Sequence, residues 1–518
     1  MAERPAPSPW LFRGLSLIAG LALALAQPPF GFLPGLLGWA VLLALLSGDL
    51  SLKAAFFRGW LGGVGYFAVS LWWLTEPFQV DAANQGWMAP FAVALVTAGM
   101  ALFWGAAALA FRLTQVRGIL RVLVFAGVFS LVEWLRGHIL TGFPWDLPGE
   151  TWRAGSPMSQ GAALVGAYGL SWITIAAAAT PATLVERWRG PVSIALAAGA
   201  LAGLFAFGAT RLANAPGPAP GAPIIRVVQA DVPQASKYDP ALFNSIVTRY
   251  LVLTRRPGAR TPAIVVWPEG AIPDAMEDYL APQTWTREAI TDALAPGQIL
   301  ILGGYRYGVA SAERPVVFNS LLALQRKADG LTPIGLYDKF RLVPFGEFIP
   351  FDALATRLGI KTFVHVGDGF TPGPRPQPLR VDGAPPFQPL ICYEALYPGF
   401  TREGAKAAGY RPAWIVNISN DAWFGQTSGP LQHLNIASYR AIEEGLPMIR
   451  ATPTGVSAVI DAFGRPLKTL PEGGYGVIDA PLPPALMPTP FARLGDAPFW
   501  GMIGLSFLSG IASAFFRR

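Results

Sequence analysis

The chain has 518 residues, of which 52% are hydrophobic and 14% charged, with a mean hydropathy of +0.40 and a formal net charge of +7. Soluble globular proteins carry about 25% charged residues, so the composition excludes an ordinary soluble protein. The single cysteine, Cys392, excludes an intramolecular disulfide and a thiolate metal cluster, and His138, His365 and His433 lie too far apart for metal-ligand spacing, so neither a metal nor another cofactor is expected. No basic tract is interleaved with aromatics, and nucleic acid is not an expected partner.

Apolar runs occupy residues 10–27, 31–48, 55–75, 89–111, 119–137, 162–184 and 191–213, and an eighth covers 497–516. Each is close to the ~20 residues that cross a hydrocarbon core as a helix. The sequence therefore predicts a polytopic α-helical membrane domain of about eight spans: seven within 1–214 and a C-terminal one within 495–518. Pro28, Pro29 and Pro34 mark a tight hairpin between the first two. A rival reading of Met1–Gln27 is a cleavable signal, with Arg13, an apolar stretch and Ala24-Leu25-Ala26. The spans that follow at once favour the hairpin.

Basic residues alternate between loops. Arg4 and Arg13, Lys53 and Arg58, Arg112, Arg117 and Arg121, Arg187 and Arg189, and Arg517 and Arg518 fall on one side; the other holds Arg136 and Arg153. The positive-inside rule puts both termini in the cytoplasm and residues 214–496 outside, in the periplasm of a bacterium with two membranes. Glu133-Trp-Leu-Arg136 and Thr141-Gly-Phe-Pro-Trp-Asp146 lie at the end of the fifth span. Ionisable groups at that depth need partners or water, and two readings stay open: an Arg–Glu pair with an interfacial aromatic belt, or a lipid-headgroup site.

Between 222 and 481 the pattern changes to short strands, expected at 224–229, 263–267, 299–305, 320–325, 335–339, 389–392, 414–419 and 448–451. Helices are expected at 239–256, 284–294, 399–408 and 429–445. Strands alternating with helices indicate a layered α/β domain. Pro216–Gly221 and Pro481–Pro490 read as linkers.

Three strand ends carry chemistry. Trp267-Pro-Glu-Gly270 follows the run Ala263–Val266, Tyr337-Asp-Lys339 closes another strand, and Ile391-Cys-Tyr-Glu394 ends a third. Glu269, Lys339 and Cys392 form a plausible base, oxyanion stabiliser and nucleophile. A thiol needs activation at neutral pH, which a neighbouring lysine and a carboxylate can supply. Each residue also has an ordinary alternative: Cys392 as a small core hydrophobe, Glu269, Glu347 and Glu394 as loop carboxylates, Asp338-Lys339 as a solvated turn. A Cys–His pair with His365 or His433 is the chemical rival. Asn420-Asp-Ala-Trp-Phe-Gly425 reads as a turn whose Trp423 and Phe424 line a pocket or fill core.

Trp267-Pro-Glu269, Tyr337-Asp-Lys339 and Ile391-Cys-Tyr-Glu394 resemble the Glu–Lys–Cys triad of the nitrilase (carbon–nitrogen hydrolase) superfamily. With the eight-span frame, Glu133–Gly137, Gly142-Phe-Pro-Trp145, Phe345–Pro350 and Asn420–Gly425, the chain resembles the bacterial apolipoprotein N-acyltransferase family over essentially its whole length. The resemblance implies a nitrilase-like αββα sandwich and ping-pong transfer of a fatty acyl chain from a phospholipid, through a Cys392 thioester, to the N-terminal amine of a diacylglyceryl-modified apolipoprotein. It implies Glu269 as base, Lys339 as oxyanion stabiliser and Glu347 as an additional essential carboxylate. Asn319, Tyr393, Glu394, Trp423 and Phe424 would support the site or line its pocket. It further implies a monomer in the bacterial inner membrane. Pro453, in Ala451-Thr-Pro-Thr-Gly455, stands where a polar residue is expected. Two rivals remain: a membrane-tethered amidase that uses water, and a transporter or receptor. Nearly uncharged spans argue against the latter.

Overall fold

The structure, a computed structural model, describes residues 8–186, 189–311, 314–350, 357 and 369–515. The chain forms two compact units. One comprises the residues up to Ala215, Thr427–Glu443 and those from Pro488 onward; the other comprises Pro216–Gln426 and Glu444–Met487.

The first unit is helical. Helices Pro9–Ala26, Gly38–Leu46, Leu52–Ser70, Ala89–Thr114, Arg121–Arg136, Ala162–Ala179, Arg189–Ala213 and Ala497–Phe515 stand at the eight apolar runs. Among the described residues, three helical stretches are long and apolar enough to cross a membrane: Ala82–Thr114, Met158–Thr183 and Arg189–Ala213. Trp10–Ala26, Leu33–Leu46 and Ala497–Ser513 are apolar but shorter. Leu52–Ser70 is diluted by Lys53, Arg58 and glycines, and Arg121–Arg136 is only 16 residues long with charges at both ends.

Small residues let these helices touch. A Cβ on Gly20 would fall 1.8 Å from the Gly62 carbonyl oxygen, so helices Pro9–Ala26 and Leu52–Ser70 meet backbone to backbone. Trp39, Trp104, Phe125 and Phe129 fill the interior, with ring centroids 4.5–6.1 Å apart. Glu133 and Arg136, each 1% exposed, form an internal ion pair. Trp104 Nε1 donates to Glu133 Oε1 (2.7 Å), and Arg136 Nη2 also donates to the Trp145 carbonyl (3.0 Å). This is the structural-pair reading of that segment. The helix Gly429–Glu444 is tied into the same unit by buried polar bonds: Ala154 N to Asn435 Oδ1 (2.8 Å), Arg440 to Glu150 (3.2 Å), and Ala167 N to Glu443 Oε1 (2.8 Å). His433 lies on it, buried, its ring 5.7 Å from that of Trp145.

The second unit is built on two sheets. β1 (Ile224–Gln229), β2 (Ile264–Val266), β3 (Ile299–Ser311), β4 (Arg314–Lys327), β5 (Gly330–Asp338) and β11 (Gly476–Pro481) form the first, in the order β11-β1-β2-β3-β4-β5. β6 (Phe387–Ile391), β7 (Trp414–Ile418), β8 (Met448–Ala451), β9 (Ser457–Ile460) and β10 (Pro466–Leu470) form the second, in the order β10-β9-β8-β7-β6. β1-β2-β3 and β6-β7-β8 are parallel.

Alternation along the strands separates two cores. Ile225, Val227, Ile264, Val266, Ile299 and Ile301 face Phe387, Ile391, Trp414, Val416, Ile418 and Ile449 between the sheets. Val228, Val265, Leu300 and Leu302 point the other way, onto the helices Phe243–Arg255 and Trp285–Ala293 through Val247, Tyr250, Leu251 and Ile290. Each such aliphatic side chain contributes about 1.5–3 kcal/mol on full burial. On β6 the Gln388 side chain meets the helix Phe400–Ala408: a Cβ on Gly404 would be 2.5 Å from its Oε1.

Strands β9, β10 and β11 went unread in the sequence. β10 lies at the sheet edge, mostly exposed, and lacks a hydrophobic alternation. β3 and β4 extend well past the expected 299–305 and 320–325, because a long antiparallel ribbon is stabilised by pairing as much as by apolar pattern.

Candidate active site

The parallel strands deliver side chains to the loops at their carboxyl ends, where open α/β sheets place ligand sites. Glu269 follows β2, held by backbone bonds from Trp267 N to Ile301 O (2.8 Å) and from Gly303 N to Pro268 O (3.2 Å). A Cβ on Gly303 would stand 2.6 Å from the Glu269 Cα, so this close approach needs glycine. Lys339 follows β5, and its N–H donates to the Asn319 carbonyl (2.8 Å). The preceding Asp338 is anchored by Arg306 (2.7 Å) and by the Ser320 hydroxyl (2.7 Å).

These residues converge. Lys339 Nζ lies 2.8 Å from Glu347 Oε1 and 3.2 Å from Glu269 Oε1. Asn319 Nδ2 donates to both carboxylates, at 2.6 Å to Glu269 and 2.7 Å to Glu347. Glu347 Oε2 accepts the Val343 N–H (2.8 Å). All four residues are buried. The other oxygen of Glu269, Oε2, is buried and accepts no hydrogen bond among the described residues. One edge of this carboxylate is therefore fixed and the other is left available.

Cys392 ends β6 at φ +48°, a left-handed backbone that a non-glycine residue adopts only when its surroundings impose it. Glu394, fully buried, does so. Its Oε2 accepts from Ile391 N (2.8 Å); its Oε1 accepts from the Tyr337 hydroxyl (2.7 Å), Phe340 N (2.7 Å) and Arg341 N (3.2 Å). One carboxyl thus fastens the Cys392 turn to the Lys339 loop. Tyr393 is buried, its ring 5.4 Å from that of Tyr397. Trp423 and Phe424 lie half-buried on the turn Asp421–Phe424.

The electrostatics follow from burial and charge. Burial pushes the Cys392 thiol up to about 12; the Glu269 charge adds to this, Lys339 opposes it, Asp421 adds again and the Ser419 hydroxyl lowers it. Burial alone would push the Lys339 ammonium down, but Glu269, Glu347 and Cys392 more than offset that and hold it above its ordinary value. Burial raises Glu394 to about 7 against its hydrogen bonds. Burial and the Glu269 charge thus favour the thiol form of Cys392, and the two carboxylates favour the charged form of Lys339.

Several site neighbours went unread in the sequence. Lys237, on the loop after β1, has its Nζ 3.4 Å from Asn420 Oδ1; burial pushes it down to about 8 while the Glu269 charge opposes this. Ser419, Asp421 and Arg450 form a buried chain beside Cys392. Ser419 and Asp421 carry a readable signal, a polar residue shortly past the end of the parallel strand β7, whereas Arg450 lies inside β8 and Lys237 well past β1. At Pro453 the chain contributes a backbone carbonyl, which accepts from Val232 N (3.4 Å). His365 lies outside the described residues.

Residues 225–488 match the family model described as carbon–nitrogen hydrolase, and residues 19–180 the model described as apolipoprotein N-acyltransferase N-terminal domain. The sandwich is a carbon–nitrogen hydrolase domain. An apolipoprotein N-acyltransferase of Caulobacter vibrioides is 53% identical, covering 98% of this chain and 95% of its own length. One of Bradyrhizobium diazoefficiens is 36% identical, covering 98% and 96%. The chain belongs to the apolipoprotein N-acyltransferase family. A solved mutant amidase of the nitrilase superfamily from Nesterenkonia AN1 aligns over 51% of this chain and 93% of its own, with 18% identity and a TM-score of 0.34.

Proposed function

We propose that this protein transfers a fatty acyl chain from a phospholipid to the N-terminal amine of a diacylglyceryl-modified apolipoprotein, in two steps through a Cys392 thioester. The observation that carries the chemistry is the asymmetry of Glu269: Oε1 is held by Lys339 and Asn319, while Oε2 accepts nothing among the described residues. A carboxylate so held can take a proton on one defined oxygen.

In the first step Glu269 Oε2 takes the Cys392 proton as the sulfur attacks the ester carbonyl carbon. The carbonyl oxygen becomes an oxyanion beside the Lys339 ammonium and the Tyr393 N–H; one such donor is worth roughly 10²–10³ in kcat. The C–O bond to glycerol then breaks, Glu269 returns the proton to the leaving oxygen, and a lysophospholipid departs. In the second step the lipoprotein amine attacks the thioester, Glu269 takes a proton from the nitrogen, the C–S bond breaks and an amide is released. Glu269 returns that proton to Cys392. Glu347 shares Lys339 with Glu269 and keeps the amine charged, and Glu394 positions the two loops. Trp423 and Phe424 line the acyl pocket.

The same reading assigns residues 1–214 to a membrane domain of seven spans, 222–481 to the catalytic domain and 495–518 to an eighth span. The loop charges support a catalytic domain on the periplasmic side of a bacterial inner membrane, with the chain taken to act as a monomer. Purified protein with phospholipid and a diacylglyceryl-cysteinyl peptide should yield N-acyl peptide and lysophospholipid in equal amounts. Release of free fatty acid instead, with no N-acyl peptide, would favour the amidase-like reading.

A further inference from the structure

The register of β6 and β7 pairs Ile391 with Ile418, so the next residue on each strand, Cys392 and Ser419, stand side by side where the two strands end. From there a hydrogen bond with the Ser419 hydroxyl acts to lower the Cys392 thiol. The same hydroxyl donates to Asp421 Oδ1 at 2.7 Å. Asp421 Oδ2 is paired with Arg450 Nη2 at 2.6 Å, and Arg450 reaches on to Asn417. Ser419, Asp421 and Arg450 are all buried, so water does not compete for these groups. Behind them the chain is close-packed: a Cβ on Gly455 would lie 2.5 Å from the Asp421 Cβ.

A hydroxyl has one hydrogen to donate and two lone pairs to accept with. Here it faces two acceptors of opposite demand. While Cys392 is a thiol, the sulfur needs no donor and the hydroxyl hydrogen goes to Asp421. Once Cys392 has lost its proton, the sulfur is an anion and needs a donor. Asp421 can release the hydroxyl because Arg450 still neutralises it, whereas a lone buried carboxylate would hold on to its donor.

We propose that Ser419 is a further residue of the catalytic apparatus, a hydroxyl rotor that donates to Asp421 beside the resting thiol and turns to donate to the Cys392 sulfur when the thiolate forms, with the Asp421–Arg450 pair setting the ease of that turn. Only a rotation about the Cβ–Oγ bond is involved: the hydrogen stays on Ser419, and the thiol proton leaves to another base. The rotor makes the thiolate available for attack, and makes it a better leaving group when a thioester on it is broken. Its catalytic importance rests on the reading of Cys392 as the acyl carrier; its effect on the thiol does not.

Because Cys392 is the only cysteine, alkylation with iodoacetamide followed by intact mass reads this one thiol. The full-length protein in detergent is alkylated across a pH series. Ser419→Ala removes the rotor and should raise the apparent thiol pKa by about one unit, which is about tenfold slower alkylation at any pH below it. Ser419→Thr keeps the hydroxyl and should stay close to wild type. Asp421→Asn removes a negative charge and leaves a weaker, neutral acceptor for the Ser419 hydroxyl, and should speed alkylation. The proposal is overturned if Ser419→Ala keeps the wild-type pH profile, if Ser419→Thr is as slow as Ser419→Ala, or if Asp421→Asn is slower than wild type. Should one variant fail to fold, the opposite-signed effect of the other decides the matter. Turnover with phospholipid and peptide should fall with alkylation in Ser419→Ala. Persistent turnover in Cys392→Ala would remove the acyl-carrier reading while leaving the alkylation result to judge the rotor.

Discussion

The ammonium of Lys339 lies 2.8 Å from Glu347, closer than its 3.2 Å to Glu269. In the proposed mechanism one carboxylate holds this shared lysine charged while the other is left to move protons. Glu347→Gln should therefore do two things. It breaks a buried ion pair, which costs about 3–5 kcal/mol when no partner remains, and less here because Glu269 stays. It also draws Lys339 onto Glu269 and blunts its basicity, lowering turnover by roughly 10²-fold or more. Thermal unfolding and turnover of the same preparation check both; wild-type turnover would exclude the role.

Opposite charges beside Cys392 give variants of opposite sign. Glu269 and Lys339 raise and lower the thiol respectively, around a value of about 12 set first by burial. Glu269→Gln should make Cys392 alkylate faster at neutral pH, and Lys339→Met slower, yet both should lose most turnover. Acting as a unit, they should be little worse together than singly. Folding linkage has a definite sign too. A thiol raised in the folded state contributes stability that is complete below its ordinary value of about 9 and is lost as pH rises through about 12. Cys392→Ala should flatten that part of the alkaline unfolding curve.

Gly303 tests geometry without touching charge. A methyl group there would collide with the Glu269 backbone at 2.6 Å. Gly303→Ala should displace Glu269 and reduce kcat on the order of 10²-fold, since displacements of about 1 Å have that effect. Unfolding would change by less than the ~3–5 kcal/mol of a broken buried pair. Unimpaired kcat would mean that the loop tolerates the shift and that Glu269 need not be held so closely.

Much of this was legible in the sequence because the signals are local. Apolar runs of span length, strand runs ending in Glu269, Lys339 and Cys392, and the turn at Asn420–Gly425 each declare themselves within a dozen residues. What was not legible depends on register and long-range packing. Ser419 meets Cys392 only because Ile391 pairs with Ile418, and Glu394 clamps Phe340 and Arg341 across more than fifty residues of chain. The helix Gly429–Glu444 reads from sequence as part of the strand-rich block. Its buried Asn435, Arg440 and Glu443 find their partners at 150–167, which periodicity cannot foresee. Charge and glycine content set Leu52–Ser70 and Arg121–Arg136 apart from span-like helices, whereas Trp10–Ala26, Leu33–Leu46 and Ala497–Ser513 are apolar but shorter.

Orientation is open to direct test. In a Cys392→Ala background, single cysteines serve as reporters in intact cells. Ser311→Cys, on the catalytic unit, should react with an impermeant maleimide from outside. Arg117→Cys should react only after the inner membrane is opened. The reverse pattern would invert the topology that the loop charges imply.

The central claim is that a fatty acyl chain rests on Cys392 between donor and acceptor. Intact mass of the purified protein after incubation with phospholipid alone tests it most directly. The account predicts a mass increase of one fatty acyl group per chain, removed by neutral hydroxylamine, discharged by diacylglyceryl-cysteinyl peptide and absent from Cys392→Ala. An equal, hydroxylamine-labile adduct on Cys392→Ala, or turnover with no adduct at any time, would contradict it.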